Sequence, residues 1–136
     1  MCKPMIDKIR EEIIATNYCD MKALDFSCSF FGDEVYICFE KDESTSWKIS
    51  FIMCSHVQYE TDASWEWRQK CNLVRNMNHK QLGYYCQEID VTENPELNGF
   101  YDVHFDLSIM TGDLTCKEIV VEEIPKEQIN KFWESN

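Results

Sequence analysis

Apolar and polar residues alternate along this chain in short runs, and the runs predict an antiparallel sheet with a helix at either end. The longest signal lies between Tyr101 and Ile124. Tyr101, Val103, Phe105, Leu107 and Ile109 alternate with Asp102, His104, Asp106 and Ser108, the period of two expected of a strand with one buried face. Thr111-Gly112-Asp113 is a turn signal, and the apolar run after it completes a long predicted hairpin. The second strand of that hairpin changes phase between Cys116 and Ile119, which predicts a bulge.

Upstream, Met5, Ile6, Ile9, Ile13 and Ile14 fall at helical spacing, with Pro4 suited to the first turn. They predict a helix from Pro4 to Ala15 that Asn17 to Asp20 would end. Leu24, Phe26, Cys28 and Phe30 then alternate with Asp25, Ser27 and Ser29, and Gly32-Asp33 turns the chain into Val35, Ile37 and Phe39. This is a predicted hairpin. Past the polar loop Lys41 to Ser46, one face is held by Trp47, Ile49, Phe51, Met53, Ser55, Val57 and Tyr59. That reads as one long, bent central strand, bulged near Ser55-His56, and the first three strands form an antiparallel meander.

Glu60 to Asn78 shows no regular pattern, and its run Cys71 to Met77 suits a helical turn as well as a loop with a short strand. Gln81 to Val91 predicts another strand and Glu93 to Gly99 a connection. Pro125 would open a final helix with Ile129, Phe132 and Trp133 as its apolar stripe. The expected fold is α+β: a strongly curved or sandwiched antiparallel sheet of about six strands, with an N-terminal and a C-terminal helix.

The chain has 136 residues, of which 44% are hydrophobic, so one domain spanning residues 1–136 with its own core is expected. Its start lacks the apolar stretch of a signal peptide, and no run is long enough to span a membrane. The eight cysteines include no Cys-x-x-Cys pair. Several sit in strand patterns, as small buried hydrophobes do, so they read as free thiols in a reducing, cytoplasmic setting.

Charge changes the picture more than composition does. Thirteen Lys and Arg face 25 Asp and Glu, a net charge of −12. Such a balance repels phosphate backbones and anionic membranes and speeds association with a basic partner. The charge also falls in blocks. From Gln81 to Cys116 there is no Lys or Arg, yet Glu88, Asp90, Glu93, Glu96, Asp102, Asp106 and Asp113 fall there. Asp33 to Glu66 is likewise acidic, with only Lys41 and Lys48 against it, while Arg68, Lys70, Arg75 and Lys80 form a basic island. Two readings are open: a solvated surface with local ion pairing, and an acidic docking face.

Candidate chemistry is sparse. His104 and Asp106 share a strand face, but so do Asp102 and Ser108, and that face reads as the wet side of the sheet. His56 lies on the polar face of the long strand and His79 in a loop-like segment. No metal site or cofactor is implied by any of the three. No serine-centred elbow, phosphate-binding loop or dinucleotide-type glycine pattern is present. A Cys–His pair is a matter of space rather than sequence, so it stays open. Trp65 and Trp67 would share one face of an extended segment, either closing a sheet edge or serving as aromatic anchors at an interface.

The segments Gln81 to Ile89, Asp106 to Met110 and Cys116 to Ile119 resemble those of immunity proteins from bacterial polymorphic-toxin and contact-dependent growth inhibition systems. The resemblance covers the C-terminal half and rests on strand patterns. It implies a protein inhibitor, without catalysis, that binds and neutralises a cognate toxin domain, a basic nuclease fitting the charge best. The expected contact surface is Trp65 and Trp67 with Glu60, Asp62 and Glu66, and secondarily Glu88, Asp90, Asp102 and Asp106. Two other classes stand beside it: a small thiol- or metal-dependent enzyme working in the sheet's concave face, and a structural or adaptor domain.

Overall fold

The computed structural model describes residues 4–62, 64, 73–129 and 131–135. Helix α1 (Met5–Ala15) turns Ile6, Ile9 and Ile13 inward and leaves Met5 and Ile14 exposed. Pro4 stands just outside it, as the capping residue. At the other end Thr16 Oγ1 donates to the Ile13 carbonyl at 2.6 Å, and Asn17 leaves the helix with φ 53°.

Among the described residues eight strands form two antiparallel sheets. The first, in the order β1-β2-β3-β8, contains β1 (Ala23–Ser29), β2 (Glu34–Glu40), β3 (Thr45–Ile52) and β8 (Glu118–Pro125). The second, in the order β4-β7-β6-β5, contains β4 (His56–Thr61), β5 (Glu88–Glu93), β6 (Tyr101–Asp106) and β7 (Met110–Cys116). Their inner faces share a core in which Phe39, Ile49 and Phe51 of the first sheet join Val91, Val103, Phe105 and Leu114 of the second. Phe39, Phe51 and Phe105 are 0% exposed, and burying each contributes on the order of 1.5–3 kcal/mol relative to leaving it in water. Helix α1 packs on the edge strands β5 and β8 and closes one flank.

The α+β class, the antiparallel pairing, the first hairpin and the sandwiched arrangement all match expectation. The strands number eight rather than about six, and five local readings are corrected. First, the run Trp47 to Tyr59 is two strands, since Met53 takes φ 58° and the chain crosses from the first sheet to the second between β3 and β4. Second, the change of phase at Cys116–Ile119 is the return crossing, from β7 to β8. Third, Thr111-Gly112-Asp113 lies inside β7. The true turn is at Leu107–Ile109, where Ser108 has φ 74° and its N–H donates to Asp106 Oδ1 at 2.8 Å. Gly112 is there for space, because a Cβ would meet the Phe105 ring at 2.2 Å.

The fourth correction concerns Gln81 to Val91, of which only Glu88 onward is strand. Asn78 and Gln81 form a capping box that starts a short helix, α2 (His79–Leu82), and Gly83 ends it with φ 81°. The fifth is the C-terminus. Pro125 is the last residue of β8, paired with Thr45. Two 3-10 turns, Lys126–Gln128 and Phe132–Ser135, take the place of the expected α-helix. Ile129 and Trp133 from this segment cover Leu24, Cys38, Tyr36 and Ile124 on the outer face of the first sheet.

Candidate functional site

Strand pairing turns the acidic stretches of the sequence into a lattice. The inward residues of the second sheet fill the core, so the alternate ones face solvent. Three outward rows cross it. Glu60, Thr111, Asp106 and Glu88 make the first; Gln58, Asp113, His104 and Asp90 the second; His56, Thr115, Asp102 and Thr92 the third. The face therefore carries the carboxylates Glu60, Glu88, Asp90, Asp102, Asp106 and Asp113 and, on these strands, no lysine or arginine. No lysine or arginine among the described residues forms an ion pair with any of them. Glu88 stands directly opposite Asp106, a like-charge arrangement that costs stability in an isolated sheet.

Parts of the lattice are held rigidly. Asp102 Oδ1 accepts from Asn94 Nδ2 at 2.9 Å and from Thr115 Oγ1 at 2.8 Å. His104 Nδ1 lies 2.8 Å from Asp113 Oδ1. That hydrogen bond raises the His104 pKa above its usual value against a smaller desolvation penalty, and the charges of Asp113, Glu88 and Asp106 push the same way. Asp90, Thr92, Asp102, His104 and Asp113 line a shallow hollow of about 280 Å³. Asp113 belongs to this site although its sequence context reads as a turn.

The remaining expected contact residues divide. Glu60 lies on the face through β4, and Asp62 is exposed just past the end of that strand, where its N–H donates to the Ile109 carbonyl at 2.7 Å. Trp65, Glu66 and Trp67 lie outside the described residues.

A second concavity, about 500 Å³, opens between the edge strands β1 and β4. Phe26, Tyr59, Leu82, Tyr84 and Trp133 make most of its wall apolar, and Asp25 accepts there from the Tyr36 hydroxyl at 3.0 Å. No cysteine or histidine is among its described lining residues. Five of the described thiols are poor nucleophiles. Burial pushes Cys38, Cys86 and Cys116 up to about 12 and Cys54 to about 11, and raises Cys28. They are protonated at neutral pH. His79 is buried at the start of α2 rather than in a loop, with Nε2 2.9 Å from the Ala23 carbonyl. Among the described residues no group of three or more His, Cys, Asp or Glu is arranged to hold a metal ion, and no helix is long and apolar enough to cross a membrane.

The class these features define is a two-sheet α+β domain with an acidic face that carries no lysine or arginine on its strands. Within that class the chain belongs to the family of immunity protein PIM7, whose model matches residues 5–123. The partner of such a protein is a toxin. A crystal structure of an uncharacterized protein from Neisseria gonorrhoeae has a similar fold, with a TM-score of 0.51 over 77% of this chain and 92% of that one at 11% identity. No curated protein matches the chain.

Proposed function

We propose that this immunity protein neutralises its toxin by laying the outer face of the second sheet across a basic surface of the toxin domain. The observation that carries this reading is the three-row lattice with Glu60, Glu88, Asp90, Asp102, Asp106 and Asp113 and no lysine or arginine on its strands. A nuclease grips phosphates with lysine and arginine, so a nuclease toxin offers the complementary surface. An acidic sheet seated there fills the substrate's path. Like-charged carboxylates repel one another in the free protein, and a cationic partner converts that repulsion into attraction and faster encounter. Asp62, exposed just past β4, extends the proposed contact, and Trp65, Glu66 and Trp67, which follow it in sequence, are included in it. The protein acts by binding in the cytoplasm, without a cofactor.

The test is capture of the partner by tagged protein from lysate of the native host at low salt, with elution at high salt. The expected result is one basic protein released by salt. A partner that stays bound regardless of salt contradicts the electrostatic reading.

A further inference from the structure

One end of the sandwich exposes large apolar side chains that fold stability does not explain. Phe30, Phe31 and Met53 are 67%, 112% and 48% exposed. Phe30 and Phe31 occupy the β1–β2 turn and Met53 the β3–β4 corner, and all three have left-handed backbones, with φ 52°, 61° and 58°. L-residues other than asparagine and aspartate avoid this region because Cβ crowds the neighbouring carbonyl, a crowding that glycine lacks. Glycine would fold more easily at each position. Yet the chain places two aromatic rings and a thioether there, at 48% exposure or more, and none of the three belongs to or packs against either hydrophobic core cluster.

The tip adjoins the acidic face. The Cys54 N–H donates to the Asp33 carbonyl at 2.9 Å and ties the two turns together. The Ser55 N–H donates to the Thr115 carbonyl at 2.8 Å, and Thr115 sits beside Asp102 in the third row of the lattice. We propose that Phe30, Phe31 and Met53 form the apolar anchor of the toxin contact, so that the toxin presents an apolar socket beside its basic surface. This rests on the binding face proposed above. Strain retained at an exposed aromatic turn is the pattern of a functional site, and central apolar anchors flanked by polar contacts dominate interface energetics. The charge of −12 argues against an anionic membrane as occupant, and against a second copy of this chain, whose acidic face would meet this one.

The test uses Phe31→Gly and Met53→Gly in the full chain against the toxin domain captured on the tagged protein, whatever its salt response, with calorimetric titration at low and high salt and thermal melting of each variant. Expected for Phe31→Gly is a Tm equal to or above that of the parent. Its Kd is expected to be weaker by at least about tenfold at both salt concentrations, with the salt dependence unchanged. Met53→Gly should weaken binding in the same salt-independent way, by less. An unchanged Kd for Phe31→Gly overturns the anchor. Charge reversals on the lattice that leave Kd unchanged, while Phe31→Gly still weakens it, sink the electrostatic face and spare the anchor. Co-sedimentation with phosphatidylcholine vesicles, lost in Phe31→Gly while toxin Kd holds, would assign the tip to a lipid surface and overturn the proposal.

Discussion

The two outer faces of this sandwich are built from similar strands, and the chain treats them in opposite ways. On the first sheet, Lys48 stands opposite Glu122 with its ammonium 4.5 Å from the centre of the Tyr36 ring. Lys126 pairs with Glu40 at 2.6 Å, and Lys41 pairs with Glu123. The C-terminal turns then roof part of that face with Ile129 and Trp133. The second sheet has neither lysine nor arginine on its strands, nor a roof among the described residues. Its carboxylates form a repeating lattice that no lysine or arginine among the described residues balances. A sheet face whose charges are balanced and covered serves the fold. One that carries acids without lysine or arginine costs the fold something, and under the proposed function complementarity to a cationic toxin surface gives that cost a use.

The comparison can be broken first at the roof. Ile129→Ala removes a buried side chain (7% exposed) and should destabilise the fold by about 2–4 kcal/mol in urea unfolding. Toxin affinity should change less than about twofold, because the roof lies on the face away from the lattice. On the open face the analogous loss should come only from carboxylates that accept hydrogen bonds, and Asp102 accepts two side-chain ones. Asp102→Ala strips the acceptor from Thr115 and Asn94 and should cost about 1–2 kcal/mol, whereas Asp90→Ala, on the same face, should leave unfolding unchanged. Lys48→Met tests the balance on the first sheet. It removes the ammonium that lies over the Tyr36 ring and across the strand pair from Glu122, in a partly exposed setting, so the loss should stay below about 1 kcal/mol.

The smallest effect separates the faces by pH. The folded pKa of His104 is raised, chiefly by its hydrogen bond to Asp113, so its stabilisation is present below the unfolded value and is lost as pH rises through the folded one. The folded pKa of His79 is lowered, chiefly by burial. Its effect has the opposite sign: stability falls as pH drops below the unfolded value of about 6.5. Melting curves across this range should show His104→Gln steepening the acid loss and His79→Gln flattening it.

Much of the frame was legible in the alternation. The helix at Met5–Ala15, the hairpin turning at Gly32, and the outward set Asp102, His104 and Asp106 follow directly from spacing. The misreadings have physical causes. Trp47, Ile49 and Phe51 point inward in one sheet and Val57 in the other, so the parity survives the crossing and pattern alone reads one strand. Gly112 reads as a turn residue when the Phe105 ring is what demands it. Gly83 sits in a run that looks like a strand, while the capping box of Asn78 and Gln81 makes that run helical. The acidic block from Gln81 to Cys116 was visible as a line of sequence, but its meeting with Glu60 depends on β4 joining β7. Phe30 and Met53 alternate in phase with core residues and so gave no sign of their exposure.

The central claim is that binding belongs to the open face, and matched charge reversals test it most directly. Glu88→Lys with Asp90→Lys on the second sheet is compared with Glu118→Lys and Glu122→Lys on the first, each titrated against the captured toxin at low salt. The account expects the first pair to weaken Kd by about 100-fold or more and to flatten its salt dependence. The second pair should stay within about threefold of the parent. Equal losses from both pairs, or a larger loss from the first sheet, would contradict it.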